Sequence, residues 1–230
     1  MLQVPKSEET RSLIVRTAMA LFAENGYERT TMRSIAAEAG VSVGNAYYYF
    51  SSKEQLIHGF YDQIAQLHQE ASAAALTGEP QFHARLRKVL LSWLEVAAPY
   101  HRFGTQFFVN AADPESPLSP FSDDSSAARD SAIALMREVV DGSDAKVDPE
   151  LSGELPELLW LYQMGIVLFW VHDRSASQKR TKILVERSVP LISKLMGLSR
   201  LRVLRPVSRE IVSLIKDLST KNGSWNLITD

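Results

Sequence analysis

Asn45 and Tyr48 lie three residues apart in the run VSVGNAYYYF, a spacing that puts both on one face if the run is helical. Both residue types can read a base edge: asparagine pairs bidentately with adenine, and an aromatic edge meets a thymine methyl. Gly44, just before them, removes a side chain where backbone must come close to another surface. Ala46 and Phe50, four apart, offer the opposite face for burial. A small helical hairpin with surface tyrosines is the plain alternative, but it leaves three successive tyrosines, Tyr47 to Tyr49, without a reason to sit outside a core.

The elements that must position these residues are legible around them. Thr31 is suited to cap a helix from about Met32 to Ala39, whose Ile35, Ala36 and Ala39 give one small apolar face. Gly40 stops that helix, because the residue just past a helix end often needs a left-handed backbone that glycine enters without steric cost. Val41 turns inward and Ser42 caps a second helix from about Val43 to Phe50. Two short helices joined by a turn of three or four residues containing glycine make a helix–turn–helix, and such motifs read bases with the N-terminal residues of the second helix. An earlier helix ending at Asn25–Gly26, with Ile14, Ala18, Leu21 and Phe22 as its stripe, braces the pair. Ser51 to Glu54 and Ser52 to Gln55 form two overlapping capping boxes that open a long fourth helix, reaching about Ala75. Lys53 sits in its first turn, where a cation is disfavoured by a few tenths of a kcal/mol and a phosphate partner would account for it.

Residues 10–60 resemble the DNA-binding domain of the tetracycline-repressor (TetR) family, through the stretch ALFAENGYERTTMRSIAAEAGVSVGNAYYYFSSKEQL. The NGY end of the first helix, the TT start of the second, the IA–AGVS core and turn and the YYYF–SKEQL junction carry the likeness. The resemblance implies an all-helical, homodimeric transcription factor, usually a repressor released by a small molecule. It places the DNA face on Thr30, Thr31, Arg33, Ser42, Val43, Gly44, Asn45, Tyr47, Tyr48 and Lys53. It divides the chain into a DNA-binding domain over residues 1–53 and a helical effector-binding and dimerisation domain over residues 54–230.

Composition fits this frame and excludes others. The 230 residues carry 45% hydrophobic and 23% charged side chains, ordinary globular values. The absence of cysteine removes disulfide frameworks, thiol nucleophiles and cysteine-based zinc sites, and suits a cytoplasmic location. No apolar leader follows a basic start. A net charge of −2 argues against a basic nucleic-acid coat. Within the first 55 residues six Lys and Arg balance six Asp and Glu, so a DNA face must come from segregating charge. Few neutralised phosphates then mean a shallow salt dependence, since each contributes about −0.9 to the slope of log K.

Beyond residue 76 the expectation is all helix. Phe82 to Tyr100 presents an apolar stripe, Phe103 to Phe108 an aromatic one, and residues 112–126, ADPESPLSPFSDDSS, read as a loop. A helix from Ala127 to Val140 and a polar connection over 141–153 follow. Leu155 to Val171 is apolar almost all round. It is short for a membrane span of about twenty residues and is interrupted by Glu157 and Gln163, so no membrane partner is expected. Such a helix must be buried on every side, one face in its own core and the other against a second copy. Ser175 or Ser177 is the expected cap of the next helix, in which Pro190 should introduce a kink. The resemblance makes these two helices the dimer interface. A last amphipathic helix over residues 206–218 could cover that interface, bind another protein or touch a membrane surface.

Trp93, Phe103, Phe107, Met136, Tyr162, Gln163 and Met164 are the candidate lining of an effector pocket, and suit an apolar or aromatic molecule with one or two polar groups. No enzyme motif is present: there is no G-x-S-x-G, P-loop, Rossmann glycine pattern or H-E-x-x-H, and none of the five histidines has another four residues away. No cofactor and no metal are expected. The partners expected are a double-stranded DNA operator, a second copy of the chain and a small-molecule effector. A ligand-independent repressor and a co-repressor-dependent regulator stay open beside the induced repressor.

Overall fold

In the computed structural model, residues 6–113 and 115–199 are described, together with Pro206, Glu210 and Ser213. Every regular element among them is helical. The α-helices are α1 (Lys6–Asn25), α2 (Met32–Glu38), α3 (Val43–Tyr49), α4 (Lys53–Leu76), α5 (Phe82–Ala97), α6 (His101–Ala112), α7 (Ser126–Asp141), α8 (Pro149–Ser152), α9 (Leu155–His172) and α10 (Lys179–Ser199). The C-terminal helix expected over 206–218 lies outside the described residues, apart from Pro206, Glu210 and Ser213, which are helical.

Two hydrophobic cores form. The first gathers Ile14, Ala18 and Phe22 of α1, Ile35 and Ala36 of α2, Ala46 and Phe50 around α3, and Leu56, Ile57 and Phe60 of α4. Gly59 makes the α3–α4 junction possible: a Cβ there would lie 2.7 Å from Cε1 of Phe50. The second core joins Leu86, Val89 and Leu90 of α5, Leu135, Met136 and Val139 of α7, Leu159, Ile166 and Trp170 of α9, and Val185 and Val189 of α10. The cores are not sealed from one another. Phe103 and Phe107 of α6, and Leu118 of the following loop, belong to the first core although they come from the second half of the chain.

Arg85 is a buried junction in the larger part, at 8% exposure. Its guanidinium donates to the carbonyls of Leu76 (3.0 Å) and Glu79 (2.9 Å), at and beyond the end of α4. It also donates to Val139 (3.1 Å) and Glu138 (2.7 Å) near the end of α7. One guanidinium thus ties the C-terminal ends of α4 and α7 together through its separate N–H donors.

Several sequence expectations change. The stretch 112–126 is not a free loop. Leu118 and Ser119 are buried, Tyr61 donates to the Leu118 carbonyl (3.0 Å), and Arg129 donates to the carbonyls of Pro120 (3.0 Å) and Ser122 (2.9 Å). The 141–153 connection contains the short helix α8. The cap ahead of α10 involves Asp173 as well as Ser175: Asp173 accepts from the backbone (2.8 Å) and hydroxyl (2.7 Å) of Thr181, while Ser175 Oγ accepts from Arg180 N. Ser177 instead has a φ of 51°, outside the extended backbone a cap adopts. Pro190 lies inside α10, as expected.

Candidate nucleic-acid interface and ligand cavity

The helix–turn–helix is built from local hydrogen bonds. Thr31 Oγ1 accepts from Ser34 N (3.1 Å) and Ser34 Oγ accepts from Thr31 N (3.1 Å), a reciprocal capping box. Gly40 adopts a φ of +67°, which lets Val41 N return to the Ala36 carbonyl (3.0 Å) and close α2. Ser42 Oγ accepts from Asn45 N (3.1 Å) and starts α3. With Met32, Ile35 and Ala36 buried, Arg33 is left on the outer side of α2.

Helix α3 buries only Ala46, with Phe50 following it inward. Ser42, Val43, Gly44, Asn45, Tyr47 and Tyr48 are all exposed, Tyr48 to 80%. A Cβ on Gly44 would meet nothing within 4 Å, so the helix start is open to an outside surface. Tyr49 departs from its two neighbours: it packs against the first core and pairs with Ser7 Oγ at 3.3 Å. No charged residue lies between Glu38 and Lys53, so the exposed face is neutral and hydrogen-bonding, flanked by Arg33 and Lys53.

Two residues expected on this face are engaged elsewhere in the chain. Thr30 is 2% exposed, and its hydroxyl is shared between the carbonyls of Gly26 (2.9 Å) and Leu21 (3.2 Å). It ties the end of α1 to the start of α2 and does not reach the surface. Lys53 is half-buried: its Nζ donates to the Tyr27 carbonyl (2.7 Å) and lies 4.2 Å from the centre of the Tyr27 ring. The Tyr27 hydroxyl donates to Glu54 Oε1 (2.8 Å). Burial, and then the Glu54 carboxylate, push the Tyr27 hydroxyl well above its ordinary range. Burial also works to raise Glu54, but hydrogen bonds from its own backbone, Ser52 and Tyr27 outweigh it and hold the carboxyl below the usual range. Of the two capping boxes expected here, one forms in altered form: Ser52 Oγ accepts from Gln55 N (3.3 Å), while Gln55 Oε1 accepts from Ser51 N (3.2 Å).

A cavity of about 810 Å³ lies between α4, α5, α6, α7, α9 and the 119–125 segment. Trp93, Phe103, Phe107, Gln163 and Met164 line it, as expected from sequence. Met136 does not: it is fully buried in the second core. Tyr162 does not either, because it lies on the side of α9 turned toward α10. Its ring packs on the second core and its hydroxyl pairs with Ser188 of α10. The lining that sequence reasoning missed comprises Phe60, Tyr61, Ile64 and His68 of α4, Tyr100 and Phe108 near α6, Phe121 of the loop, Arg129 of α7, and Trp160 and Trp170 of α9. The α4 members are spaced at three and four residues, a signal that was available; Phe121 had none.

The walls are aromatic and interlocked. Phe103 and Phe107 stack with centroids 5.0 Å apart, and Trp93 meets Trp170 edge-on at 5.3 Å. The Phe103–Phe107 pair continues outward to Phe22 (6.2 Å) and Tyr27 (5.7 Å) of the first core. Burial depresses the His68 imidazole below its ordinary range, against the pull of its Val89 carbonyl partner, and raises the Tyr61 hydroxyl. Gln163 and Trp170 belong to this wall, but Gln163 Oε1 and Trp170 Nε1 are themselves buried and have no hydrogen-bond partner. Among the described residues no His, Asp and Glu group is arranged to hold a metal ion, and no helix is long and apolar enough to cross a membrane.

Comparison with known proteins agrees with this architecture. The family "Bacterial regulatory proteins, tetR family" matches residues 14–59, and "Tetracyclin repressor-like, C-terminal domain" matches residues 85–214. The chain is 33% identical over 87 residues to the HTH-type transcriptional regulator TtgR of Pseudomonas putida, covering 37% of this chain and 41% of that protein. It is 34% identical over 97 residues to the probable acrEF/envCD operon repressor of Escherichia coli, covering 41% and 43% respectively. The matches thus span about two fifths of the length of these relatives. A TetR transcriptional regulator from Nitrosomonas europaea shares the fold, with a TM-score of 0.63 at 18% identity over 80% of this chain and 97% of that one.

Proposed function

This chain belongs to the tetracycline-repressor family, and we propose that it is a dimeric, sequence-specific DNA-binding repressor released from a palindromic operator by a small, largely apolar effector. The observation that carries the reading is the continuous packing from cavity wall to DNA face. Phe103 and Phe107 line the cavity, touch Phe22 and Tyr27 of the DNA-side core, and Tyr27 is held by Lys53 and Glu54 at the root of α4. A molecule that moves the Phe103–Phe107 stack therefore moves the frame on which α3 is mounted.

The two halves of the proposal draw on different residues. Exposed Asn45 near the start of α3, and exposed Tyr48 one turn further along it, support reading of base edges in the major groove. Leu168 and Phe169 of α9 and Ile183, Leu191, Leu195 and Leu198 of α10 are exposed apolar side chains on the single chain. Clusters of this kind mark interaction surfaces, and a two-fold pairing through α9 and α10 would cover them. Such a dimer presents two α3 helices to successive major grooves about 34–36 Å apart. The relative in Escherichia coli is named as an operon repressor, which supports the direction of control.

The test is selection of bound duplexes from a random pool by the full chain, followed by titration with and without effector. An inverted repeat with half-sites one helical turn apart is the expected product. Recovery of no common sequence, or of a high-affinity asymmetric site, would overturn the proposal. Reciprocity requires DNA to weaken the effector by the same factor as the effector weakens DNA, and a 100-fold release needs about 2.7 kcal/mol of coupling. Equal effector affinity with and without DNA would leave a constitutive repressor, and tighter binding on DNA a co-repressor.

A further inference from the structure

We infer that the cavity takes an amphipathic monoanion: an apolar or aromatic body ending in one carboxylate, which the Nε–Nη2 edge of Arg129 holds in bidentate fashion. The inference rests on the effector reading of the cavity and adds to it the charge of the molecule and the group that recognises it.

Arg129 is tied into the chain by one nitrogen. Its Nη1 donates to the carbonyls of Pro120 (3.0 Å) and Ser122 (2.9 Å), while Nε and Nη2 donate to none of the described residues. This free edge is accessible: the side-chain polar atoms that are both sealed and unpaired are Gln163 Oε1 and Trp170 Nε1, and none belongs to Arg129. The guanidinium sits in the cavity wall. Pro120 and Ser122, which hold it, are wall residues, and Ala128, Arg129 and Ala132 are the members that α7 contributes.

The chain shows elsewhere what such an edge binds. Arg87 uses the same two nitrogens for the Glu186 carboxylate, with Nε donating to Oε2 (2.6 Å) and Nη2 to Oε1. The two N–H groups point the same way at the spacing of two carboxylate oxygens, so the match is one of geometry as well as charge. In Arg129 the Nη1 bonds already fix the plane of the fork, so little freedom is lost when a carboxylate arrives.

A guanidinium stays protonated, so Arg129 sets a permanent positive charge in a wall rich in aromatic rings. It forms no ion pair with a described carboxylate. Asp123 is the other charged side chain of the wall; it is exposed, so water and salt screen its repulsion. His68 is buried, bonded through Nε2 to Val89 O (2.9 Å), and burial keeps its imidazole neutral at neutral pH. The Tyr100 hydroxyl on the wall is neutral and can serve an oxygen on the body of the ligand. One cation with one two-donor edge matches a singly charged planar group. A phosphate monoester would leave part of its charge uncompensated against the rings. The volume of about 810 Å³ has room for a two-ring or medium-chain body.

The experiment uses the full chain, calorimetric titration and two matched pairs of probes: biphenyl-4-carboxylate with biphenyl-4-carboxamide, and octanoate with octanamide. Each amide keeps the body and one oxygen, but sets an N–H donor against a donor of the fork. In each pair that binds the wild-type chain, the carboxylate should be about tenfold or more tighter. Arg129→Gln should abolish that preference with little change for the amide. Arg129→Lys, which keeps the charge and loses the fork, should retain part of it. If Arg129 only seats the 120–122 segment, its replacement will weaken carboxylate and amide alike and leave their ratio unchanged, which would overturn the inference. Should neither variant fold, the wild-type ratio decides. An amide as tight as its carboxylate on the wild-type chain would also overturn the inference, while leaving an effector cavity in place. Failure of all four probes to bind would overturn the inference and the effector reading together.

Discussion

Lys53 meets Tyr27 twice: its ammonium donates to the Tyr27 carbonyl at 2.7 Å and lies over the Tyr27 ring at 4.2 Å. An ammonium has three donors, so one bond to a carbonyl leaves two for a phosphate. Lys53→Ala is therefore expected to act on two measurements. It should lower the unfolding free energy of the chain by about 1–2 kcal/mol, from the charged hydrogen bond and the ring contact. It should also weaken operator and random DNA nearly equally, with a salt slope flatter by about one. A change in operator preference would show that Lys53 does more than hold a phosphate.

Asn45→Ala and Tyr48→Ala are expected to behave in the opposite way. Tyr48 is 80% exposed, so its removal should change stability by no more than about 0.5 kcal/mol. Each substitution should instead cost about 1–3 kcal/mol of discrimination between operator and random duplex. Competition binding with both DNA types measures this directly, and an equal loss on both would remove the residue from base reading.

Gln163→Leu should raise the melting temperature of the ligand-free chain. The substitution keeps a side chain of similar size and removes a buried carbonyl oxygen that has no partner. The gain expected is about 1 kcal/mol. A fall in melting temperature would mean that the amide contributes to the fold in a way that its unpaired oxygen does not reveal.

Leu191 and Leu195 are 58% and 66% exposed on α10. Replacing both with aspartate should leave helix content intact and turn a dimer into a monomer in sedimentation at micromolar concentration, since a charge cannot be buried there unpaired. A wild-type chain already monomeric at that concentration would defeat the proposed assembly.

Asp173 gives a pH prediction. Burial alone would lift its carboxyl, but the Ser175 and Thr181 hydrogen bonds overcome that and bring it down to about 2, from 3.8. A depressed carboxylate stabilises the fold fully above its unfolded value and loses that contribution as pH falls through the folded one. The window is thus from near 3.8 down to about 2, and the contribution is about 2 kcal/mol. Asp173→Asn should remove it at neutral pH and flatten the acid limb of a denaturation curve over that window.

What the sequence made legible was local. The bounds of α2 and α3 follow from Thr31, Gly40 and Ser42, whose partners lie within five residues. Thr30 was misplaced because its partners are Leu21 and Gly26, on the preceding helix and turn, and a threonine beside a cap looks like a surface residue. The cavity was half legible for a related reason. Helix α9 is apolar on nearly every side, so its pattern has no phase, and nothing in the letters says that Gln163 faces the cavity while Tyr162 faces α10. Phe121 enters the wall only because its loop is seated by Tyr61 and Arg129, residues distant or unremarkable in sequence.

Arg85 holds the last carbonyls of α4 and α7 with one guanidinium. Mechanically that makes the far end of α4 a pivot. The helix has 24 residues and so is an arm about 36 Å long, which carries its Lys53 end about 3 Å for each 5° of rotation. The pivot is pinned to α7, the helix whose other end supplies Arg129 to the cavity wall. Under the proposed release by a ligand, a displacement of α7 would be geared up at the Lys53 end of α4, beside which α3 is mounted.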